Sequence, residues 1–293
     1  MEMKINSFCL TCLIRMQESQ AGKFDDEEKK MKYMREVLAF LSSCNPDLSA
    51  PALVKPLSRI YEKYWGRRDS MDAVKKEFND FLLSMEKDLE TQIRKHSDPL
   101  EAALCFARTG NYIDYAAVKD ISKDKLLELF EEQEQAGLEK NEYSRFLKDM
   151  EHASKLVCLT DNCGEVVLDK IALKIIQERY PDLEVTAVVR GEPVVNDADL
   201  EAARYVGLDR VVKVIGNGSG IAGTDLDDIS DEARNEIETA DVILSKGQGN
   251  FETIHGCGLN IYYLFLCKCD WFVRKFNAKR FEGMFINEKR IPG

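Results

Sequence analysis

The sequence lacks long apolar runs and is poor in several residue types. Its 293 residues include 7 prolines, 3 histidines and 2 tryptophans. No stretch approaches the roughly 18 uncharged apolar residues that a membrane-spanning helix needs. The N-terminus also lacks a basic segment followed by an apolar one, which is the pattern of a secretory leader. We therefore expect a cytoplasmic protein that does not associate with a membrane.

Positive charge is in deficit as well. The chain has 41 Lys and Arg against 52 Asp and Glu, so its formal net charge is −11. This balance argues against nucleic acid as a partner, because phosphate backbones are bound by basic surfaces. An anionic substrate would need a local positive site, such as a metal ion or a few placed cations. Composition leaves the oligomeric state open.

Glycine is scarce in the first half of the chain, where residues 1–150 hold four of the 17 glycines. Apolar residues there recur at steps of three and four, which is the spacing of one helix face. The clearest example comprises Phe78, Phe81, Leu82, Met85 and Leu89. The pattern predicts an N-terminal helical bundle domain over residues 1–150, with five or six helices, one of them starting after Ser122.

The second half, residues 151–293, has a different pattern. Short apolar, mostly β-branched runs alternate with polar loops, and the first four runs are each followed by a glycine-bearing loop and then usually by an amphipathic segment. The runs lie at 156–159, 184–189, 211–215, 242–244 and 260–267. Repeated strand and helix alternation predicts an α/β domain with a mostly parallel sheet covered on both faces. Right-handed crossovers would place the polar loops on one edge of that sheet, where such folds bind ligands.

Two of these loops carry oxygen ligands. Asp161 and Asn162 follow the first strand directly, and Asp197 lies in the loop after the second. Carboxylate and carboxamide oxygens suit Mg²⁺ or Mn²⁺ better than structural zinc. The alternative is that these residues cap the helices that follow, since Asp and Asn are preferred caps. Arg190 ends the second strand and is a candidate contact for an anion.

Two further loops are rich in glycine. Gly218, Gly220 and Gly223 have the spacing of a dinucleotide fingerprint, but acidic residues follow where an apolar helix should begin. We therefore expect a flexible wall of the pocket, with Asp225 as a reserve metal ligand. In the fourth loop, Lys246 precedes Gly247 and Gly249, an order unlike that of a Walker loop. Backbone N–H groups and a lysine there would bind an anion such as phosphate.

The nine cysteines allow a second kind of metal site. Cys9 and Cys12 form one close pair, and Cys267 and Cys269 form another, so a four-thiolate site is one hypothesis. Buried structural thiols are the alternative, because with nine cysteines close pairs arise easily. The three histidines are isolated from one another, and the chain lacks the nucleophile elbow of a serine hydrolase.

Four motifs occur in order between residues 155 and 270. They are Asp161-Asn162-Cys163-Gly164-Glu165, Arg190-Gly191-x-Pro193-x-x-Asn196-Asp197, Gly223-Thr224-Asp225-Leu226 and Ser245-Lys246-Gly247-x-Gly249-Asn250-Phe251-Glu252. Together they resemble the damage-control phosphatases, a metal-dependent family long described as a domain of unknown function. The run from Gly110 to Asp114 looks like another family element, and the Cys9 and Cys12 pair is similar to the prokaryotic and archaeal branch.

The resemblance implies a Rossmann-like three-layer α/β/α domain beside the helical domain, with a divalent metal such as Mn²⁺, Co²⁺, Ni²⁺ or Mg²⁺. Carried over by position, the implied metal ligands are Asp161, Asn162 and Asp197. The implied catalytic residues are Asp161, Glu165 and Lys246. The candidate substrate-binding residues are Asn111, Asp114, Arg190, Gly247, Gly249 and Asn250. The chain departs from the eukaryotic branch in having Glu at 165 and no clear Arg-Thr-x-Lys motif.

The leading hypothesis is a metal-dependent phosphatase that hydrolyses phosphate monoesters of small metabolites, with sugar phosphates or damaged phosphometabolites as the substrate class. One alternative is a carboxyl methyltransferase that uses S-adenosylmethionine. A second is a non-enzymatic metal-binding protein built on the cysteines. Between a metal-bound water and Asp161 as nucleophile, we favour water, because a metal ligand is a less available nucleophile.

Overall fold

The computed structural model describes residues 4–67, 70–112 and 123–291, and the predicted residues Asp114 and Ser122 lie outside these ranges. Seven α-helices precede the sheet within these ranges, so the predicted number of five or six was too low. They are α1 (Ser7–Ala21), α2 (Glu27–Ser43), α3 (Val54–Trp65), α4 (Asp72–Ile93), α5 (Pro99–Gly110), α6 (Lys123–Ala136) and α7 (Lys140–His152). No helix among the described residues is long and apolar enough to span a membrane.

Strands and helices then alternate to the end of the chain. They are β1 (Lys155–Leu159), α8 (Glu165–Arg179), β2 (Glu184–Val189), α9 (Leu200–Val206), β3 (Lys213–Gly216), α10 (Asp231–Glu238), β4 (Val242–Lys246), α11 (Gly247–Ile254), β5 (Ile261–Leu266), α12 (Asp270–Lys275) and β6 (Gly283–Asn287). The sheet order is β3-β2-β1-β4-β5-β6. Strands β1 to β5 are parallel, and β6 is antiparallel to β5. The predicted mostly parallel sheet is confirmed, whereas β6 was not predicted.

Side chains alternate between the two faces of the sheet, as extended strands require. In β1, Leu156 and Cys158 point into a core shared with α4, α5, α8 and α9. The intervening Val157 and Leu159 point into a second core with α10, α11 and α12. Helices therefore cover both faces, and the predicted three-layer architecture is confirmed.

The helical half does not lie apart from the sheet. Helices α4 and α5 contribute to the same core as α8, and Gly110 of α5 lies so close to α8 that an added Cβ would sit 2.7 Å from the Leu168 side chain. Helices α1 to α3 form a third core around Tyr33, and Phe24 stacks there on Trp65 at 4.0 Å between ring centroids. The division into domains at residue 150 stays a prediction.

Candidate active site

A cleft opens where the strand order reverses, between the carboxyl ends of β1 and β4. This switch point is where open α/β sheets bind their ligands. The cleft has a volume of about 240 Å³. It is lined by Asp161, Asn162, Val195, Asn196, Asp197, Ala222, Gln248, Gly249 and Lys268. The structure thus brings all three predicted metal ligands and Gly249 to one cavity.

Backbone hydrogen bonds join the loops after β1 and β2. Asn162 and Asp197 form an isolated antiparallel bridge, and the Ala198 N–H donates to the Asp161 carbonyl at 2.8 Å. Neither loop uses these side chains as helix caps. Gly164 is the N-cap of α8 and Asp199 is the N-cap of α9. The capping alternative for Asp161, Asn162 and Asp197 is therefore wrong, and their side chains remain available to the cleft.

Amide groups hold the Asp161 carboxylate. Asn111 donates from Nδ2 to Asp161 Oδ2 and to Glu165 Oε2, both at 2.8 Å, and Asn162 Nδ2 donates to Asp161 Oδ2 at 2.8 Å. Burial, with smaller contributions from the carboxylates of Asp197 and Glu165, raises the pKa of Asp161 well above its usual value. A cation placed here would stabilise the ionised carboxylates.

Arg190 lies behind the cleft and is 1% exposed. Its guanidinium donates from Nε to Asp197 Oδ2 at 2.6 Å and from Nη1 to the Asn250 side chain at 2.9 Å and the Gly223 carbonyl at 3.0 Å. Asn250 in turn donates to the carbonyl oxygens of Thr160 and Lys246. Neither Arg190 nor Asn250 lines the cavity, and together they connect the loops that follow β1, β2, β3 and β4.

Lys246 is also buried, with no exposed surface. Its Nζ donates to Glu165, to Asp169 at 2.7 Å and to the Ala107 carbonyl at 3.0 Å. Burial by itself lowers the pKa of Lys246, but the carboxylates of Asp169 and Glu165 more than reverse this, so the pKa lies above its usual value. Lys246 therefore faces the interior between β4 and α8, and it does not line the cleft.

The glycines after β4 allow two close approaches. Gly247 has φ +77°, and a Cβ on it would lie 1.9 Å from Asp161 Oδ2. A Cβ on Gly249 would lie 2.3 Å from the Ala222 carbonyl oxygen. These residues begin α11, and the first N–H groups of a helix have no partner within the helix. Gln248 and Gly249 bring this helix start to the cleft, where it would attract an anion.

The loop from Gly218 to Gly223 packs tightly against its neighbour. A Cβ on Gly191 would lie 2.2 Å from the Gly218 nitrogen, so these glycines let two backbones approach. No helix begins until Asp231, and this confirms that the dinucleotide fingerprint lacks its structural context. Asp225 does not line the cleft.

The cysteine pairs are placed differently from one another. Cys267 is fully buried in the apolar core beneath the sheet, and burial raises its pKa to about 12. Cys12 is exposed, while Cys9 and Cys269 are partly buried. Within residues 4–67, 70–112 and 123–291, no three His, Cys, Asp or Glu side chains are arranged to hold a metal ion. Cys9, Cys12 and Cys269 nevertheless lie near one another, since both Cys269 and Cys12 contribute to the raised pKa of Cys9, and the four-thiolate hypothesis stays a prediction.

Sequence reasoning missed Lys268 and Gln248, both of which line the cleft. The Lys268 N–H donates to Gln248 Oε1 at 3.2 Å. Lys268 lies two residues after the end of β5, and the carboxyl end of this parallel strand lies at the same edge of the sheet. A cation after an apolar strand could have indicated that Lys268 belongs to the site. The cysteines on either side, Cys267 and Cys269, led instead to a hypothesis of thiol chemistry.

A polar cleft at the switch point of a mostly parallel sheet, crowded with carboxylates, defines the chain as an α/β protein with an enzyme-like site. The family model of the damage-control phosphatase ARMT1-like domain matches residues 5–283. The chain therefore belongs to this family, and the resemblance of the four motifs is confirmed.

Individual relatives cover nearly the whole chain. A damage-control phosphatase of Archaeoglobus fulgidus is 31% identical over 278 residues, which span 92% of this chain and 93% of the relative. A damage-control phosphatase of Pyrococcus horikoshii is 28% identical over 285 residues, which span 95% and 96%. A crystal structure of a DUF89 family protein from P. horikoshii matches with a TM-score of 0.81 and 26% identity, over 98% of this chain and 100% of that one. Family and relatives support a phosphatase role.

Proposed function

We propose that the protein is a metal-dependent phosphatase that hydrolyses phosphate monoesters of small metabolites in the cleft beside Asp161. The observation that carries this proposal is the charge of a buried cluster at the cleft and directly behind it. Four carboxylates lie there with two cations, and all six side chains are buried. They are Asp161, Glu165, Asp169, Asp197, Arg190 and Lys246. A divalent cation would balance the excess negative charge, because buried charges are stable only when they are paired.

The oxygen atoms of Asp161, Asn162 and Asp197 fit a hard divalent ion such as Mn²⁺, Co²⁺, Ni²⁺ or Mg²⁺. The Asn162 amide nitrogen is bound to Asp161 and lies 3.3 Å from Glu165. This leaves its oxygen as the atom that could face a cation. Asn111 Oδ1 is buried and has no hydrogen-bond partner among the described residues, so it is a further oxygen atom near the site that accepts no hydrogen bond from them. Solvent or substrate would have to complete the ligand set.

A bound metal would polarise a phosphoryl oxygen and lower the pKa of a coordinated water. The chain's own groups would bind the rest of the phosphate. Lys268 and the N-terminus of α11 are the positive groups at the cleft, and they would stabilise the charge that redistributes during phosphoryl transfer. Asp161 is engaged by Asn111, Asn162 and Arg190, so we propose water as the nucleophile.

The test is turnover of p-nitrophenyl phosphate with each divalent metal, before and after chelation. We expect activity with Mn²⁺ or Co²⁺, loss of activity with chelator, and loss of both activity and calorimetric Mn²⁺ binding in Asp161→Asn. Asp182→Asn is the matched control, because Asp182 is exposed in the turn before β2. Full activity of Asp161→Asn, or activity that chelation leaves unchanged, would overturn the proposal.

The two alternatives have separate tests. Calorimetric binding of S-adenosylmethionine, without phosphatase activity under any metal, would favour the methyltransferase. Stoichiometric zinc or iron that is lost in Cys9→Ser would favour the cysteine-based metal protein.

A further inference from the structure

A buried cluster of three charged side chains lies between α8 and β4. Glu165 and Asp169 are one helical turn apart on α8, and so they face the same side. Both accept a hydrogen bond from Lys246 at the end of β4. The side chains of Lys246 and Glu165 are 0% exposed and that of Asp169 is 1% exposed. Asp169 lines no part of the cleft, and beyond its share of the cluster's negative charge it has no role in the four motifs or in the proposed function.

The ammonium group of Lys246 uses its full donor capacity within this cluster. A lysine ammonium has three N–H donors, and Lys246 has three acceptors: Glu165, Asp169 and the Ala107 carbonyl. No donor is left for a substrate phosphate. The contribution of Lys246 to the site therefore passes through Glu165.

Glu165 connects this cluster to the cleft. One of its oxygens accepts from Lys246, and the other accepts from Asn111 at 2.8 Å and from Asn162 at 3.3 Å. The same two amides donate to Asp161. A continuous series of hydrogen bonds thus runs from Asp169 to the proposed metal ligands.

We propose that Asp169 is a positioning residue of the active site, which fixes Lys246 so that Glu165 keeps the amides of Asn111 and Asn162 oriented toward Asp161. This inference rests on the proposed phosphatase function. Without the Asp169 carboxylate, one Lys246 N–H would lose its acceptor in a region without solvent, where an unpaired polar group is costly. The ammonium would then shift toward Glu165 and change the orientation of that carboxylate.

The charge of the cluster supports this role. Two carboxylates share one ammonium, and Asp169 Oδ2 has no hydrogen-bond partner in the part of the chain that the structure describes. Burial raises the pKa of Asp169 to about 7, against the opposing effect of Lys246 and with a smaller contribution from Glu165. The charged or titratable groups that face Asp169 are Lys246 from β4, Glu165 from its own helix and Cys158 from β1.

The experiment compares wild type, Asp169→Asn and Asp169→Ala, with Asp182→Asn as the exposed control. Changes behind a metal ligand typically reduce activity or metal affinity about 10- to 100-fold. We expect kcat on p-nitrophenyl phosphate to fall by about this factor in Asp169→Ala and by less in Asp169→Asn, whose amide oxygen still accepts from Lys246. KM should change little, because Asp169 does not line the cleft. We also expect the kcat of wild type to rise with pH near 7, where Asp169 ionises, and we expect this rise to be absent in both variants.

A measurement that does not depend on catalytic activity tests this inference independently of the proposed function. The Nζ protons of Lys246, observed by ¹⁵N NMR, should be protected from exchange with water in wild type. They should exchange faster in Asp169→Ala, whether or not the protein is a phosphatase. An inactive wild type with this difference would refute the phosphatase and leave the coupling in place. An active wild type whose Asp169→Ala variant keeps its kcat and its pH profile would overturn the positioning role.

Discussion

At the scale of single residues, Gly247 can be compared with Gly258. The comparison distinguishes the effect of a positive φ from the effect of the limited space beside Asp161. A Cβ at Gly247 would overlap the Asp161 carboxylate, whereas a Cβ at Gly258 would meet nothing within 4 Å, although φ is +77° at one and +79° at the other. Either alanine variant should lose about 1 to 2 kcal/mol of stability, because L-residues are disfavoured at positive φ.

Only Gly247→Ala should lose activity, since only there does the new methyl group displace Asp161. Urea denaturation and phosphatase assays on both variants check this expectation. Equal loss of activity in the two variants would mean that the conformation of the glycine, and not the room beside Asp161, is what matters.

Asp169 should also affect the pH dependence of stability. Its pKa is raised from 3.8 to about 7 in the folded protein, so the native state holds more protons than the unfolded state between these values. The corresponding stability is present at low pH and is lost as the pH rises through 7. We expect the Tm of Asp169→Asn, relative to wild type, to rise between pH 5 and pH 8. A constant difference over this range would contradict the expectation.

At the scale of the element, the N-terminus of α8 is held by a side chain from α4. Asn79 accepts from the Gly164 N–H at 2.7 Å and is 2% exposed. Asn79→Ala should leave a buried N–H without a partner and cost about 1 to 3 kcal/mol. Because Gly164 lies between Asn162 and Glu165, Mn²⁺ affinity should fall as well. Asn235→Ala on the exposed face of α10 is the control, and calorimetry with chemical denaturation measures both quantities.

Elements were predicted best where the local pattern was sufficient. The run 184–189 and the helix over 200–206 agree with β2 and α9, because strand and helix periodicities are local properties. Strand β6 was missed because it is an antiparallel edge strand and is not followed by a polar loop and a helix of the kind that marked the first four strands.

Local sequence patterns could not predict which side chains form hydrogen bonds with residues far away in the sequence. The sequence places Lys246 in a glycine-bearing loop typical of anion binding, and only the fold shows that Glu165, Asp169 and Ala107 take all three of its donors. The structure brings the predicted metal ligands to one cleft, and it shows charge pairings that the sequence did not indicate.

For the whole molecule, the shared core predicts how the chain can be divided. Helices α4 and α5 bury side chains against α8, while α1 to α3 surround a core of their own. A fragment of residues 71–293 should therefore fold, whereas residues 151–293 should not, because one face of α8 would be exposed to solvent. Near-UV circular dichroism and cooperative thermal unfolding of both fragments check this. A folded 151–293 fragment would support the predicted boundary at 150.

The placement of Arg190 has a consequence for how the substrate range can change. This side chain holds Asp161, Asp197 and Asn250 from the side opposite the cavity, while Val195 and Ala222 form part of the cavity wall without belonging to that network. Substitutions at the wall can therefore alter which organic group is accepted while the carboxylates stay in place. Under the proposed function, the carboxylates and the residues that select the substrate could therefore change independently of one another.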